Sequence, residues 1–599
     1  MGPLKYLAGA AALVGLVFGL TAYPLLDPDE GRNAEVAREM AATNNYVLPQ
    51  LNGLPYLDKP VLFFAVEAAV MELLGPTMPA ARLPPLAFTL ATVGLVAWFA
   101  RRRGGRDAAW IAAVATGAAP LTLGFARTVI FDATLTFFVV AAVVAFYEAV
   151  EQRTDGRSGG QADGRTVTGG TARPPDGPTA GWAWSVAGWA ATALAVLTKG
   201  PIGLALPLMI AIPYALWRRA GRVLWAPAGP LLFVALLLPW LMAMSRRVPD
   251  FLSYALGTET VARLMTPALG RTGPWWYFLP IVLAGALPWS VVALAGLAGG
   301  GWRVDGSTGR RADPYVVFLM CWILIPLVFF SLSQSKRPQY VLPLVPAVAL
   351  LVAHLWRDGD RPAGARVAAA TLIACGLLIG AAPSVLPRLL PLSSGIRDAL
   401  PATAVTLGGV TVVCGTLAWL LRRRDVLLPA LAIPVATIPL AGGELMQQVG
   451  RERSSAELAA VIAAVLPPDA DVVAVSAFPL SLPFYLRQPV LLATATGAEL
   501  TSNYLVRDVE RWRLAPGSPL RPPDWWHEAA VQCGRPRVFV TRANDAQTRT
   551  VLAAQVPLLM ETAKYAAYGP CARSDVAQVP FQSVSPDPSL VSPQRGRAY

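Results

Sequence analysis

The sequence predicts a mainly α chain: a polytopic membrane helix bundle of about 13 spans followed by a C-terminal α/β domain. Three observations predict it. The 599 residues are 55% hydrophobic and only 15% charged, with a mean hydropathy of +0.48, far from the composition of ordinary soluble domains. Apolar segments of roughly 20 residues, the length that crosses a ~30 Å hydrocarbon layer, recur between short charged breaks. After about residue 445 this pattern gives way to short strand-like and amphipathic segments.

In chain order the candidate spans cover 4–23, 61–75, 82–100, 107–125, 133–151, 181–197, 202–217, 223–244, 278–298, 315–333, 341–355, 367–386, 401–421 and 426–443. The pair 61–75 and 82–100 counts once, as a helical hairpin or a span broken at Gly75-Pro76. The first apolar run follows Lys5 like a signal peptide, but Pro-Leu-Leu-Asp-Pro stands where a small-residue cleavage site belongs, so it is read as a retained span.

Basic residues set the orientation. Lys5, Arg101 to Arg103, Arg106, Arg218, Arg219, Arg222, Arg310, Arg311, Arg357, Arg361 and Arg422 to Arg424 lie in alternate breaks and mark the cytoplasmic side. The loop opening at Asp27 and the C-terminal segment are then external. On this reading the net charge of +13 reflects topology and attraction to anionic membrane lipid, and no nucleic-acid partner is expected.

Residues 1–444 form the expected transmembrane catalytic domain, with external loops at 24–60 and 245–277. The second loop ends in Gly273-Pro274-Trp275-Trp276-Tyr277-Phe278, an interfacial aromatic cluster, and is long enough to cover a pocket. Residues 152–180, rich in Gly, Pro, Asp and Arg, read as a flexible cytoplasmic linker. Residues 445–599 read as an external α/β domain, with a helix at 455–462 and strands at 472–475 and 538–540. It has no Gly-rich phosphate loop, and none of its residues carries a chemical signature.

Charged groups at a membrane interface are costly and point to function. Asp27-Pro28-Asp29-Glu30-Gly31-Arg32 and Tyr56-Leu57-Asp58-Lys59-Pro60 place two such clusters on one loop. Asp27 reads as an N-cap, Pro28 as the first helical residue and Glu30 as the capping-box partner. Asp29 has no capping duty and stands one turn before Arg32. Alone, Asp29 and Arg32 fit a surface pair, Asp58 a cap and Lys59 an interfacial anchor. Together they suit displacement of a phosphate leaving group, with cations holding phosphate and a carboxylate serving the nucleophile. Asp132, Lys199, Glu259, Lys336 and Arg337 add charges on the same side.

Histidine argues against other chemistries. His354 and His527 are the two present, and neither lies near these clusters, so a His-based metal site or a Ser/His/Asp triad has no support. Cys321, Cys375 and Cys414 fall in spans as packing residues. Cys533 and Cys571 fall in the external domain, where a bridge is permitted but not decided by sequence.

Residues 29–40 (DEGRNAEVAREM), 51–60 (LNGLPYLDKP), 197–201 (LTKGP), 273–277 (GPWWY) and 335–343 (SKRPQYVLP) make the chain resemble the aminoarabinose transferase branch of the GT-C glycosyltransferases. These enzymes are related to the dolichyl-phosphate-mannose protein mannosyltransferases. The resemblance implies an inverting transferase in the bacterial inner membrane that uses a polyprenyl (undecaprenyl) phosphate sugar and a periplasmic acceptor: lipid A phosphate, a glycan or a protein hydroxyl. It implies catalytic roles for Asp29 and Asp132. Arg32, Lys59, Lys199, Lys336 and Tyr340 fall at or near the donor phosphate, and Tyr56, Asp58 and Glu30 line the pocket. It also implies a divalent cation, Mg or Zn, at Asp58 and the Glu259 position, where relatives carry His; a carboxylate there suits hard Mg²⁺ better than zinc.

The expected chemistry is one displacement at the anomeric carbon with inversion, through an oxocarbenium-like transition state. A transporter or flippase of lipid-linked sugar is the rival. It would place charges at mid-bilayer in broken helices with an internal repeat, whereas these charges gather at one face.

Overall fold

The computed structural model describes residues 2–159, 179, 181–257, 273–299, 303–304, 311–356, 364–421, 423–467 and 470–571. Among them, seven helices are long and apolar enough to cross a membrane, or up to nine if each of two bent pairs is one span. The chain is thus a multi-pass membrane protein, though the count does not reach the expected 13.

The shortfall has identifiable causes. Helix α1 (Leu4–Val17) stops short of residue 23 because the backbone turns extended at Phe18. Helix α3 (Leu62–Leu74) ends at Gly75, so the expected break falls there, and at 13 residues it is too short to span. Helix α4 (Met78–Gly117) contains the 82–100 segment and part of 107–125, joined across a kink at Gly105, where φ is 79°. The chain resumes as α5 (Pro120–Ala126). Residues 278–298 break into Phe278–Gly285 and Trp289–Ala298, bent by 102° around Pro288.

Helices α6 (Asp132–Gly159), α7 (Trp182–Lys199), α8 (Ile202–Trp217) and α9 (Ala228–Arg247) follow the expected order. Helix α6 runs into the segment read as linker, and residues 160–178 and 180 of that segment lie outside the described residues. Leu231, Leu332, Leu378, Val405 and Leu420 are exposed, as expected of residues facing lipid. Helices Ala365–Leu389 and Ser394–Leu421 pack closely, and a Cβ on Gly408 would stand 2.8 Å from the Gly376 carbonyl oxygen. Small residues let membrane helices approach this closely.

Helix α2 (Asp29–Thr43) is too polar to span and lies in the loop that follows α1, ahead of the short hairpin β1 (Gln50–Leu51) and β2 (Leu54–Pro55). A second hairpin, β3 (Arg303–Val304) with β4 (Arg311–Ala312), lies between bundle helices. The C-terminal part folds as a six-stranded sheet in the order β7-β6-β5-β8-β10-β9. Its strands are β5 (Asp471–Val475), β6 (Leu491–Ala493), β7 (Leu520–Arg521), β8 (Arg537–Arg542), β9 (Leu558–Glu561) and β10 (Tyr565–Cys571). Strands β5 to β8 pair in parallel, and β10 runs antiparallel to both its neighbours. Cys533 and Cys571 form a disulfide.

The sheet sits on the loop between α1 and α3 through a shared core. Leu51, Leu54 and Tyr56 pack in one cluster with Leu480, Leu482, Val490, Leu500 and Tyr504. Asn52 exchanges two hydrogen bonds of 2.8 Å with the Val490 backbone. Gly31 explains how closely α2 seats, because a Cβ there would stand 2.6 Å from the Ser481 backbone nitrogen. Ser481 follows β5 and Thr501 follows β6, so carboxyl ends of parallel strands face α2, the edge at which open α/β sheets bind ligands.

Candidate active site

Helix α2 starts at Asp29, after Pro28, and neither Asp27 nor Pro28 caps it with a side chain. The capping expectation for Asp27 is therefore corrected. Its carboxylate accepts from the Ser481 hydroxyl at 3.0 Å, and its backbone N–H bonds to Arg453 O. Burial pushes the Asp27 carboxyl up to about 7, against the lowering effect of Ser481.

Glu30 does reach back to the Leu26 N–H at 3.0 Å, yet its main partner is Arg82. The Arg82 guanidinium, fully buried, donates to both Glu30 oxygens and to the carbonyls of Leu20, Tyr23 and Pro24. Glu30 thus anchors α2 to α4 and does not line the pocket, which corrects that placement.

Asp29 projects into a polar chamber that it shares with Arg32, Tyr56, Asp58, Lys59, Lys199 and Tyr340. Arg32 donates to Asp29 Oδ1 at 2.6 Å, and Arg337 donates to Oδ2 at 3.0 Å. Burial alone would raise the Asp29 carboxyl, but the two guanidinium groups outweigh it and hold it below the ordinary carboxylate value. Arg32 also lies 5.8 Å from the Tyr56 ring centroid.

Asp58 is held by the Tyr254 hydroxyl at 2.6 Å, the Ser502 hydroxyl at 3.3 Å and the Asn503 N–H at 3.2 Å. Lys59 bonds the Asp58 carbonyl and lies 5.9 Å from the Phe131 ring centroid. Lys199, the last residue of α7, pairs with Asp132, the first residue of α6, and stands 4.8 Å from the Tyr340 ring centroid. Asp132 borders a second, mostly apolar cavity of about 470 Å³ that adjoins the chamber through Asp58, Lys59, Lys199 and Tyr340. Leu206, Leu237, Leu241 and Phe329 are among its walls.

Besides Glu30 and Asp132, one more expected residue is not brought into the chamber. Lys336 turns away and donates to the carbonyls of Phe330 at 3.0 Å and Ser331 at 2.6 Å, which corrects its placement at the phosphate. Its neighbour Arg337 lines the chamber instead. Glu259 lies outside the described residues, and among those described no group of three His, Cys, Asp or Glu side chains is arranged to hold a metal.

The sheet domain supplies groups with no expected role. Thr501 and Asn503 line the chamber, and the Thr501 hydroxyl accepts from Arg32 Nη1 at 2.9 Å. Their polar, turn-like sequence is common in loops and carried no signal of its own. Gln339 and Arg337 stood within the 335–343 segment, where a signal was present.

The chamber therefore sets four cations, Arg32, Lys59, Lys199 and Arg337, against two carboxylates, Asp29 and Asp58, above an apolar cavity. This arrangement accommodates an anionic head on an apolar tail.

Comparison with known proteins agrees with that geometry. The family model for dolichyl-phosphate-mannose-protein mannosyltransferase matches residues 32–255. Undecaprenyl phosphate-alpha-4-amino-4-deoxy-L-arabinose arabinosyl transferases from Aeromonas hydrophila and Erwinia tasmaniensis are each 31% identical, over 55% of this chain. The match spans 56% and 55% of those two relatives, little more than half their length. The crystal structure of ArnT from Cupriavidus metallidurans bound to undecaprenyl phosphate superposes with a TM-score of 0.76 at 28% identity, covering 94% of this chain and 97% of that one. Residues 32–255 thus resemble a dolichyl-phosphate-mannose-protein mannosyltransferase domain, in a chain with the GT-C fold that is similar over almost its whole length to ArnT from Cupriavidus metallidurans.

Proposed function

We propose that this chain is an inverting glycosyltransferase that moves a sugar from an undecaprenyl-phosphate donor to an extracytoplasmic acceptor. The observation that carries the reading is Asp29, gripped by Arg32 and Arg337, in a cation-rich chamber that opens onto an apolar cavity. The lipid chain enters the apolar cavity, and its phosphate lies among Arg32, Lys59, Lys199 and Arg337. As the anomeric C–O bond breaks, these cations stabilise the charge growing on the departing phosphate. Asp29 faces the reacting centre and orients the acceptor.

The acceptor reading favours a lipid A phosphate over a glycan or protein hydroxyl. Two guanidinium partners make Asp29 a weak base, and an acceptor that arrives ionised needs little base assistance. The sugar is read as aminoarabinose from the relatives' names. Asp132 is the second functional acid in this reading, holding Lys199 at the phosphate.

In this reading the chamber faces the periplasmic side of a bacterial inner membrane. The basic loops assigned to the opposite side support this, and so does the Cys533–Cys571 disulfide, a bond that persists in oxidising compartments. A divalent cation at Asp58 and Glu259 belongs to the same proposal; chelation, then restoration with Mg²⁺ or Zn²⁺, tests it. A lipid-linked-sugar flippase fits less well, because the charged groups gather at helix ends.

Purified protein given undecaprenyl-phosphate aminoarabinose and lipid A should produce modified lipid A, read by mass spectrometry. Asp29→Asn should abolish the product while leaving the melting temperature unchanged. Full turnover by Asp29→Asn would refute the assignment.

A further inference from the structure

We propose that Thr501, from the C-terminal sheet domain, contacts the donor phosphate directly, its hydroxyl accepting from Arg32 and donating its own proton to a phosphate oxygen. The inference rests on the donor reading above and goes beyond it, because it makes the sheet domain part of the binding site.

The geometry has three parts. Thr501 Oγ1 accepts from Arg32 Nη1 at 2.9 Å. A hydroxyl offers one proton as well as two lone pairs, so this bond leaves the proton for a further partner. Thr501 lines the chamber and is exposed there, while its neighbours Leu500 and Ser502 are buried. With four cations and two carboxylates around it, the partner such a chamber selects is an anionic oxygen.

The backbone is the second part. Thr501 has φ 54°, in the left-handed region, which β-branched residues adopt rarely and at a cost in strain. Glycine or asparagine would sit there more easily. A threonine held in that conformation indicates that its side chain has a task.

The third part is anchoring. Ser502 and Asn503 bond opposite oxygens of Asp58 at 3.3 and 3.2 Å. One turn of the sheet domain thus grips Arg32 through Thr501 and Asp58 through the next two residues. Held on both sides, the hydroxyl keeps its place when a ligand enters.

The test is titration of the purified full chain with undecaprenyl phosphate, comparing wild type with Thr501→Val, Thr501→Ser and Thr501→Gly. A hydrogen bond to a charged group corresponds to roughly a tenfold or greater change in affinity. Thr501→Val and Thr501→Gly should weaken binding by about that factor, whereas Thr501→Ser should bind like wild type. Thr501→Gly should melt no lower than wild type, since glycine tolerates the backbone conformation, so its lost affinity would not reflect unfolding. Wild-type binding by Thr501→Val would overturn the inference and leave the donor reading standing. So would a Thr501→Ser defect equal to that of Thr501→Val, which would trace the effect to shape and not to the hydroxyl. Failure of the wild type to bind undecaprenyl phosphate would overturn the donor reading and this inference together.

Discussion

Arg337 reaches Asp29 across 308 residues of sequence, its Nη1 lying 3.0 Å from Oδ2 while Arg32 holds the other oxygen. Two elements far apart in the chain thus build one anionic centre with a cation on each side. Arg337→Gln should lower transfer by about 10²–10³, the cost of removing one preorganised donor. Lys336→Gln should cost less, because Lys336 is spent on the Phe330 and Ser331 carbonyls. Steady-state rates for the two variants decide; equal losses would return Lys336 to the phosphate.

Glu30 and Arg82 form a buried ion pair at 2.9 Å. Breaking such a pair leaves a charge uncompensated and typically costs about 3–5 kcal/mol. Glu30→Ala should therefore lower the melting temperature sharply, in contrast to Asp29→Asn. Thermal melting in detergent would separate the structural acid from the proposed catalytic one, although the two are adjacent in sequence.

Glu39 should give stability a pH dependence. Burial and then the neighbouring Glu35 charge push its carboxyl up to about 8, against the lowering effects of the Gly53 N–H and Arg38. From its ordinary value of 4.5 up to about 8, the folded state keeps a proton that the unfolded state has lost. Stability therefore falls as pH rises through this window. Glu39→Gln should reduce that slope and melt higher than wild type at alkaline pH. An unchanged slope across a melting series would show that Glu39 is charged in the folded protein.

Reduction of the Cys533–Cys571 bridge should loosen the sheet domain. The bridge closes a loop over a sequence separation of 38, for which the chain-entropy estimate is about 4 kcal/mol. Proteolysis of the reduced protein should begin within the C-terminal domain before it reaches the bundle. Equal protection with and without reductant would contradict this.

Much of the site was legible in the sequence, because charges at an interface stand out against an apolar background. Asp29, Arg32, Asp58, Lys59, Lys199 and Tyr340 were all recognisable and all line one chamber. The choice between Lys336 and Arg337 was not legible. Arg337 has extended backbone, with φ −147° and ψ 138°, and successive side chains on extended backbone point to opposite faces. Which of two adjacent cations enters the chamber is therefore settled by backbone register, which composition does not reveal. Glu30 was placed in the pocket by resemblance, whereas local spacing showed only its capping role; its main partner, Arg82, lies in α4, out of reach of either reading.

The sequence by itself determined a multi-pass helical membrane chain with an α/β tail, and it located most of the charged groups that share a site. Hydropathy and local charge spacing suffice for that, because the bilayer imposes length and burial on every span. Only the tertiary structure decided that Arg337 closes on Asp29 and that Glu30 belongs to the buried anchor with Arg82. It also brought Thr501 and Asn503 into the chamber and set Ser502 against Asp58. Each of these depends on long-range packing between the first loop and distant segments, and a linear reading carries no measure of which side chains that packing will bring into contact.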